Sequence, residues 1–425
     1  MNCLRHSTVW ISAALVLAVA SSARAAENAA VRVEFDDIPR LVREQNRSAA
    51  GAALHAEAAQ AREGSLLRSF LPTAALDAGV ERFQTGRYGY ETQPYGSAEA
   101  RINLLRGGRD YWQERRLEGL SSAARARSTD DLALIIGEAR RSYLRLVHAR
   151  EMGGLAREAQ AENHRLLERA ERRIRRGLAA ETDRLEFEIG ASQLKEDEES
   201  FAHAELQLRI RLAALLGLKP EAAISTPATV EHDHDETLLS RAFDPGAHRE
   251  AALLSAQSEA ARAEAKSASL WWTPSLDAYA GKHLYTLRER DYASSSLRDD
   301  FAVGGKLSLR LFDGGAERSE ARARRLEADG AEKKLLQRRL DLTARIRITE
   351  EDLKHDHELV HFAEERIALA RRYLNATLDE YDRGVKNSLD VFASAQRLLA
   401  YRRQLAERRR DYQLTKVGLL QEHGL

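Results

Sequence analysis

Proline is confined to a few places in this chain, and its absence elsewhere limits what the chain can fold into. The seven prolines lie at positions 39, 72, 94, 220, 227, 245 and 274. The long stretches 95–219 and 275–425 therefore hold no residue that would remove a backbone hydrogen bond from a helix. Within the second stretch, apolar residues recur every seven positions, at Ile346, Leu353, Val360, Ile367, Leu374 and Tyr381, and then at Val391, Leu398, Leu405, Tyr412 and Leu419. This stripe predicts two very long helices packed as an antiparallel coiled coil.

A glycine turn separates the two predicted helices. Gly384 is placed to end the first helix, and Ser388 is placed to cap the second. A similar turn surrounds Gly177, 207 residues earlier, and the glycine pairs ending at Gly108 and Gly315 differ by the same 207 residues. Equal spacing predicts an internal duplication whose units are far longer than those of solenoid repeats.

Four segments alternate apolar and polar residues, as strands do. Two of them precede the glycine pairs that end at Gly108 and Gly315, and the other two follow Pro72 and Pro274. The clearest apolar positions are Ala98, Ala100, Ile102 and Leu104 in the first half, and Val303, Leu307, Leu309 and Leu311 in the second. Their partner strands are predicted to begin after Pro72 and Pro274, with exposed loops around 84–95 and 286–298. Because four strands cannot close a membrane barrel and free edges are costly in lipid, several chains would have to share one. A soluble hairpin cap on a coiled coil is the alternative.

The first 25 residues are typical of a secretory signal. Arg5 precedes the apolar run Val9–Ala20, which is too short to span a bilayer, and Ala23–Ala25 provides a small-x-small cleavage site. The single cysteine, Cys3, would be removed with it, so we expect no disulfide and no lipid anchor. The predicted organisation is signal peptide 1–25, first repeat 26–217, linker 218–247 and second repeat 248–425.

Composition narrows the function classes. The 66 basic residues equal the 66 acidic ones, so the chain has no basic excess with which to bind nucleic acid. Aromatic residues make up only 6% of the chain and charged residues 31%, which favours long charged helices over a sandwich or a propeller.

At this point the sequence resembles the TolC family of outer-membrane efflux proteins. The resemblance rests on Leu71-Pro72 and Thr273-Pro274 before the strands, on the Leu311–Gly315 motif after the second hairpin, and on the turns at Gly177 and Gly384. It implies a mainly α fold with a small β part: a long helical hairpin barrel, plus a transmembrane β-barrel to which each chain of a homotrimer gives four strands.

The same resemblance implies a function. Family members are the outer-membrane exit duct of a tripartite efflux pump or a type I secretion system. The implied partners are a periplasmic adaptor (membrane fusion) protein, an inner-membrane transporter and outer-membrane lipid. The implied location is the outer membrane of a Gram-negative-type bacterium, with an extension into the periplasm. No enzymatic activity, cofactor or metal is expected.

The family pattern also implies site residues at the helical tips. The gate residues are Thr182, Asp183, Tyr381, Lys386 and Asp390, and the adaptor-binding tips are Gly177, Leu178, Gly384 and Val385. A lysine facing a carboxylate and a tyrosine hydroxyl could hold the tips together. Lys386 stands where the best-known member has arginine, so bidentate pairing is lost. Capping and surface charge are the simpler interpretation of these residues.

Two rival functions remain open. His357, Glu358 and His361 fit the zinc-protease pattern H-E-x-x-H, with Glu380 at a plausible distance for a third ligand. Against a zinc metallopeptidase, the motif sits inside the charged heptad helix. The acidic-histidine run from Glu231 to Glu236 could bind a divalent metal weakly, although such runs are mostly solvated linkers. A periplasmic coiled-coil structural protein would explain the helices but not the strands.

Overall fold

The computed structural model describes most of the chain after the signal segment. The described residues are 31–85, 89–177, 180–232, 236–288 and 295–425. The predicted signal peptide lies outside them, as do Leu178 and residues 233–235 of the acidic-histidine run.

The described chain is mostly helical, as predicted. The helices are α1 Ile38–Gln45, α2 Arg47–Gln60, α3 Ser65–Ser69, α4 Arg109–Ile174, α5 Glu181–Leu215, α6 Glu236–Leu239, α7 Arg249–Ser269, α8 Ala316–Asp382 and α9 Ser388–Glu422. The strands are β1 Val31–Arg32, β2 Thr73–Thr85, β3 Gly89–Leu105, β4 Ile224–Ser225, β5 Ser275–Arg288 and β6 Ser295–Ser308. A hairpin, a helix of 66 or 67 residues and a helix of 35 residues follow one another in each half.

Glycines end both of the very long helices. Gly177 after α4 and Gly384 after α8 have φ of 72° and 81°, in the left-handed region that closes a helix without a Cβ clash. The predicted capping residue was wrong by one position. The side chain of Asn387 accepts a hydrogen bond from the backbone N–H of Asp390, and the Asp390 carboxylate accepts one from the backbone N–H of Asn387. The helix therefore begins with a capping box formed by Asn387 and Asp390, and Ser388 is not the cap.

The chain divides into two compact units. One consists of the residues up to 52 together with 130–244 and 342–425, and the other of 53–129 together with 245–341. Each unit takes parts of both predicted repeats. The repeat boundaries, the linker and the signal peptide stay predictions.

The first unit buries the seven-residue stripe. Ile346, Leu353 and Val360 of α8 pack with Tyr412 and Leu419 of α9 in one cluster of buried side chains. A second cluster joins α1, α4 and α5, with Ile38, Val42, Leu146, Leu212 and Leu216 among its members. No helix of the described residues is apolar over a length sufficient to cross a bilayer.

The second unit contains an antiparallel sheet of four strands in the order β2-β3-β5-β6. Ala98 of β3 lies opposite Leu76 of β2. Ala280 of β5 lies between Ala100 of β3 and Val303 of β6. Below the sheet, the Arg109 guanidinium at the start of α4 donates to the carbonyls of Trp271 and Thr273 at 3.2 and 3.0 Å. This contact fixes the start of α4 against the turn that leads into β5.

One face of this sheet is apolar and exposed. Since alternate residues share a face, the register places the following side chains together: Ala74, Leu76, Ala78, Val80, Ala98, Ala100, Ile102, Ala278, Ala280, Val303 and Leu307. Leu76 is 83% exposed and Val303 74%, and Lys282 interrupts the face next to Ala98. The opposite face bears polar side chains such as Asp277.

The strands are longer than predicted. They begin after Pro72 and Pro274 as expected, but β2 and β3 pair as far as Thr85 and Gly89, and β5 and β6 as far as Arg288 and Ser295. Most of the two predicted loops is therefore strand. In these segments apolar and polar side chains no longer alternate, so the sequence did not indicate strands. The backbone hydrogen bonds that pair the strands do not require that alternation.

Gly217 offers a test of the packing in the first unit, between the end of α1 and the residues after α5. Its φ is 76°, and a Cβ there would lie 2.2 Å from the carbonyl oxygen of Gln45. We expect Gly217→Ala to lower the free energy of unfolding by more than the ~1 kcal/mol of left-handed strain alone, because the backbone at the end of α1 must move. Gly154→Ala is the control, since a Cβ there meets nothing within 4 Å and should stabilise α4 by about 0.5–1 kcal/mol. Thermal melts followed by circular dichroism would measure both, and equal midpoints would contradict the prediction.

Candidate functional site

The ends of four helices pack together at the predicted tips. We call this the tip region: the end of α4 with the start of α5, and the end of α8 with the start of α9. Its core consists of the buried side chains Leu166, Ala170, Phe187, Tyr381 and Val391. The two helical hairpins of the chain are therefore joined at their tips by apolar packing.

Tyr381 lies inside this core rather than on the surface. It is 3% exposed, and its hydroxyl lies 3.1 Å from the hydroxyl of Ser388 across the glycine turn. The guanidinium of Arg173, at the end of α4, lies 4.3 Å from the centre of the Tyr381 ring and donates to the Tyr381 carbonyl at 2.5 Å. One arginine thus ties the end of the first long helix to the end of the second, through a cation–π contact and a charge-assisted hydrogen bond.

A second contact joins α5 and α9. The rings of Phe187 and Phe392 meet edge to face with centres 5.7 Å apart. The amide of Asn163 donates to the Phe187 carbonyl at 2.8 Å. Gly190 allows the close approach, because a Cβ there would lie 2.5 Å from the Phe392 ring. A larger residue at this position would push the Phe392 ring aside, so glycine suits the close approach of the two helices.

The other gate residues are not joined to Tyr381. Thr182 is exposed and Asp183 half-buried in the first turn of α5, and Lys386 is half-buried in the turn before α9. In the described part of this single chain, no hydrogen bond or ion pair links Thr182 or Asp183 to Tyr381 or Lys386. Asp390 serves as a helix cap through the amide of Asn387. The gate roles stay predictions.

The tip glycines lie at the turns, and apolar side chains are exposed beside them. Val385 is 72% exposed, while Leu178 lies outside the described residues. Leu185 and Ile189 of α5, together with Leu389 of α9, add exposed apolar surface. These three residues were not among the predicted site residues. The four-residue spacing of Leu185 and Ile189, outside the buried stripe, was the available signal.

Arg173 and Ser388, the partners of Tyr381, were also missed. The seven-residue stripe already contained Tyr381 and indicated its burial, but nothing in the sequence indicated which side chains would surround it.

The zinc-peptidase pattern does not assemble as the sequence suggested. Glu380 and His361 belong to the same continuous helix, α8. Their separation of nineteen residues corresponds to roughly 28 Å along the axis. Glu380 therefore cannot complete a site with His357 and His361, and that part of the prediction was wrong.

Comparisons with known proteins agree with this architecture. Residues 249–424 match the family model described as outer membrane efflux protein, and no curated protein matches the sequence. Among solved structures, CusC, described in terms of transmembrane channel formation, superposes with a TM-score of 0.77 at 13% identity over 92% of each chain. The outer membrane protein VceC of Vibrio cholerae gives 0.76 at 17% identity, over 92% of this chain and 95% of its own.

A third structure, the CmeC outer membrane channel of Campylobacter jejuni, gives a TM-score of 0.76 at 15% identity over 92% of this chain and 85% of its own. Identities this low show a shared fold. The resemblance noted in the sequence is confirmed: the second half carries the outer membrane efflux protein domain, and the chain has the fold of such channels.

The Tyr381 hydroxyl provides a test of the tip packing. We expect Tyr381→Phe to lower the stability of the tip by about 1 kcal/mol, because it removes one buried hydrogen bond and keeps the ring under Arg173. Tyr381→Ala should cost about 3–5 kcal/mol, since it also empties the core. Hydrogen exchange of the amides in 376–392 would report both as faster local opening.

Tyr401→Phe is the matched control. The guanidinium of Arg366 lies 5.5 Å from the Tyr401 ring, but the Tyr401 hydroxyl makes no hydrogen bond within the described residues. Exchange at the tip should stay at the wild-type rate in this variant. A Tyr381→Phe protein with wild-type exchange would show that the bond to Ser388 does not hold the tip.

Proposed function

We propose that three copies of this chain form an outer-membrane exit duct for an efflux pump or a secretion system. The observation that carries the proposal is the sheet: its apolar face is exposed, and its outer strands, β2 and β6, each have an unpaired edge in the described chain. A large exposed apolar face is typical of a surface that contacts a membrane or another protein.

The strand directions support closure by several chains. All neighbouring strands are antiparallel and their number is even, so β6 of one chain can pair antiparallel with β2 of the next all the way round. Unpaired backbone groups cost several kcal/mol each in lipid, which favours a closed ring. Three chains would give twelve strands, above the roughly eight of the smallest membrane barrels. The family resemblance favours three over two.

We place the gate and the adaptor-docking surface in the tip region. Gly177 and Gly384 end the helices there, and Val385, Leu389 and Ile189 expose apolar groups that would suit packing against adaptor helices. Thr182, Asp183 and Lys386 would meet across chain boundaries at the closed tip, and Asp390 would contribute a ring of carboxylates that favours cations.

In this proposal the duct catalyses nothing. It supplies a water-filled passage, and the inner-membrane transporter does the work. The adaptor would open the tips by binding the open arrangement of helices more tightly than the closed one, since a ligand shifts a conformational equilibrium only by its difference in affinity.

The two faces of β6 provide a test of membrane insertion. Val303 lies on the exposed apolar face, and its neighbour Ala302 points to the other face. We expect Val303→Arg to reduce trimers in outer-membrane fractions, because an arginine facing lipid costs about 2–4 kcal/mol near the bilayer centre. Ala302→Arg should assemble normally and shift conductance toward anions. Equal assembly of both variants, or a wild-type protein that does not conduct across planar bilayers, would contradict the proposed duct.

Single-channel conductance also tests the gate. We expect the double variant Tyr381→Ala/Lys386→Ala to conduct more than the wild type, because it removes both the packing of the tip and a cation proposed to latch neighbouring chains. Lys354→Ala, which removes an exposed lysine of α8 paired with Glu351, is the charge-matched control. Wild-type conductance in the double variant would show that the tip region is not the gate.

A further inference from the structure

We infer that His232, His357 and His361 form a binding site for a divalent transition-metal ion of the kind that imidazoles prefer, such as Zn²⁺. This goes beyond the proposed duct and does not depend on it. All three residues belong to the first compact unit. Two histidine patterns that are separate in the sequence thus meet in the fold.

The three rings touch one another. His357 and His361 lie one turn apart on α8, with their Nε2 atoms 3.1 Å apart. His232, in the segment after β4, places its Nε2 3.0 Å from the Nδ1 of His357. The rings of His232 and His357 are stacked with centres 5.0 Å apart, and those of His357 and His361 meet edge to face at 4.6 Å.

The helical pair already has the spacing of a chelate. Two histidines four residues apart on a helix share one face, which is why that spacing recurs in zinc sites. With zinc–nitrogen distances of 2.0–2.1 Å, two ligands of a tetrahedral ion lie ~3.4 Å apart, and the Nε2 atoms of His357 and His361 are 3.1 Å apart. A small adjustment of side-chain torsions would admit the ion.

His232 is the third ligand. Its Nε2 now faces the Nδ1 of His357, so joining the pair requires its ring to turn toward the shared ion. It lies outside any helix or strand, so its backbone is not tied into a helix or a strand ladder, and the turn would exchange its hydrogen bond to His357 for a bond to the ion. The ring of Tyr412, which is buried, packs against His232 with centres 4.7 Å apart and keeps it beside α8. Three imidazoles leave the fourth position to water.

A carboxylate lies near one of the ligands. Oε2 of Glu364 lies 3.8 Å from Nδ1 of His361, which is beyond hydrogen-bond distance, and Oε1 of Glu364 accepts from Arg409 at 2.8 Å. Metal-binding histidines commonly direct their second nitrogen to a carboxylate, which leaves the first free for the ion. A small movement of the His361 ring toward Glu364 on metal binding would give that arrangement.

The environment keeps His232 in the form that binds metals. Burial lowers its pKa below the usual range, the neighbouring His357 and His361 lower it further, and Glu364 opposes them. Neutral imidazole is the metal-binding form.

Metal titration of the purified full chain, stripped with a chelator, tests the site. We expect one Zn²⁺ per chain in competition with a chromogenic indicator, and Co²⁺ should develop the visible absorption of a tetrahedral site. His232→Ala, His357→Ala and His361→Gln should each weaken zinc binding at least about tenfold, as the loss of zinc-site groups commonly does. Mg²⁺ should not compete.

His164→Gln is the matched control. His164 is an exposed histidine of α4 with a carboxylate, Glu168, four residues away, like His361 beside Glu364, but it lies outside the cluster. This variant should bind Zn²⁺ as the wild type does. The proposal is overturned if the wild type binds no more Zn²⁺ than the triple histidine variant, or if His164→Gln weakens binding as much as His361→Gln.

Because His361 is exposed, His361→Gln should fold even if a variant at His232 does not, and circular dichroism would confirm it. Zn²⁺ should also raise the melting temperature of the wild type but not of His361→Gln, since an ion that binds only the folded chain stabilises it. An equal rise in both proteins would assign the binding to other residues.

Discussion

The burial of an apolar stripe along α8 and α9 is the interaction on which the rest of the structure depends. Long charged helices gain little from their own hydrogen bonds in water and need a packed face to persist. Ile346, Val360 and Leu419 supply that face, and all three are almost fully buried. Because the stripe reaches Tyr381 before the glycine turn and resumes at Val391 after it, the same packing continues into the tip region and joins the two hairpins there.

Much of the fold could be predicted because it follows from local rules. The lack of proline and the seven-residue period predicted the two long helices that are observed as α8 and α9, and strands begin after Pro72 and Pro274 as expected. The cap at Asn387 rather than Ser388 rests on the side chains of Asn387 and Asp390, whose three-residue spacing the sequence did contain. The strands that extend through the predicted loops depend on backbone pairing, which side-chain patterns record poorly. Arg173 under Tyr381, and His232 beside His357, join residues far apart in sequence, so no single-sequence pattern could reveal them.

Tyr381 shows how two lines of sequence reasoning can disagree about one residue. The family resemblance assigned it to a gate at the helical tips, whereas the apolar stripe predicted that it would be buried. Its hydroxyl is bonded to Ser388 and its ring lies under Arg173. A gate role for Tyr381 would therefore act through packing: loosening this core would free the tips, and Lys386, which is only half-buried, would form the contacts across chain boundaries.

In the proposed duct, the tip region would have to be stable at rest and yet open when a partner binds, and its interactions suit both needs. Besides its small apolar core, it has one cation–π contact, one aromatic pair and a few buried hydrogen bonds, each worth about 1 kcal/mol. These contacts are individually modest and none of them is covalent. A partner that bound the open tips more tightly than the closed ones by several kcal/mol would offset the loss of these contacts. The buried stripe farther along α8 and α9 would keep the helices paired. A long packed stretch of helix that ends in a smaller, separately packed tip would suit the proposed gate, because the tip could open while the rest of the helices stayed paired.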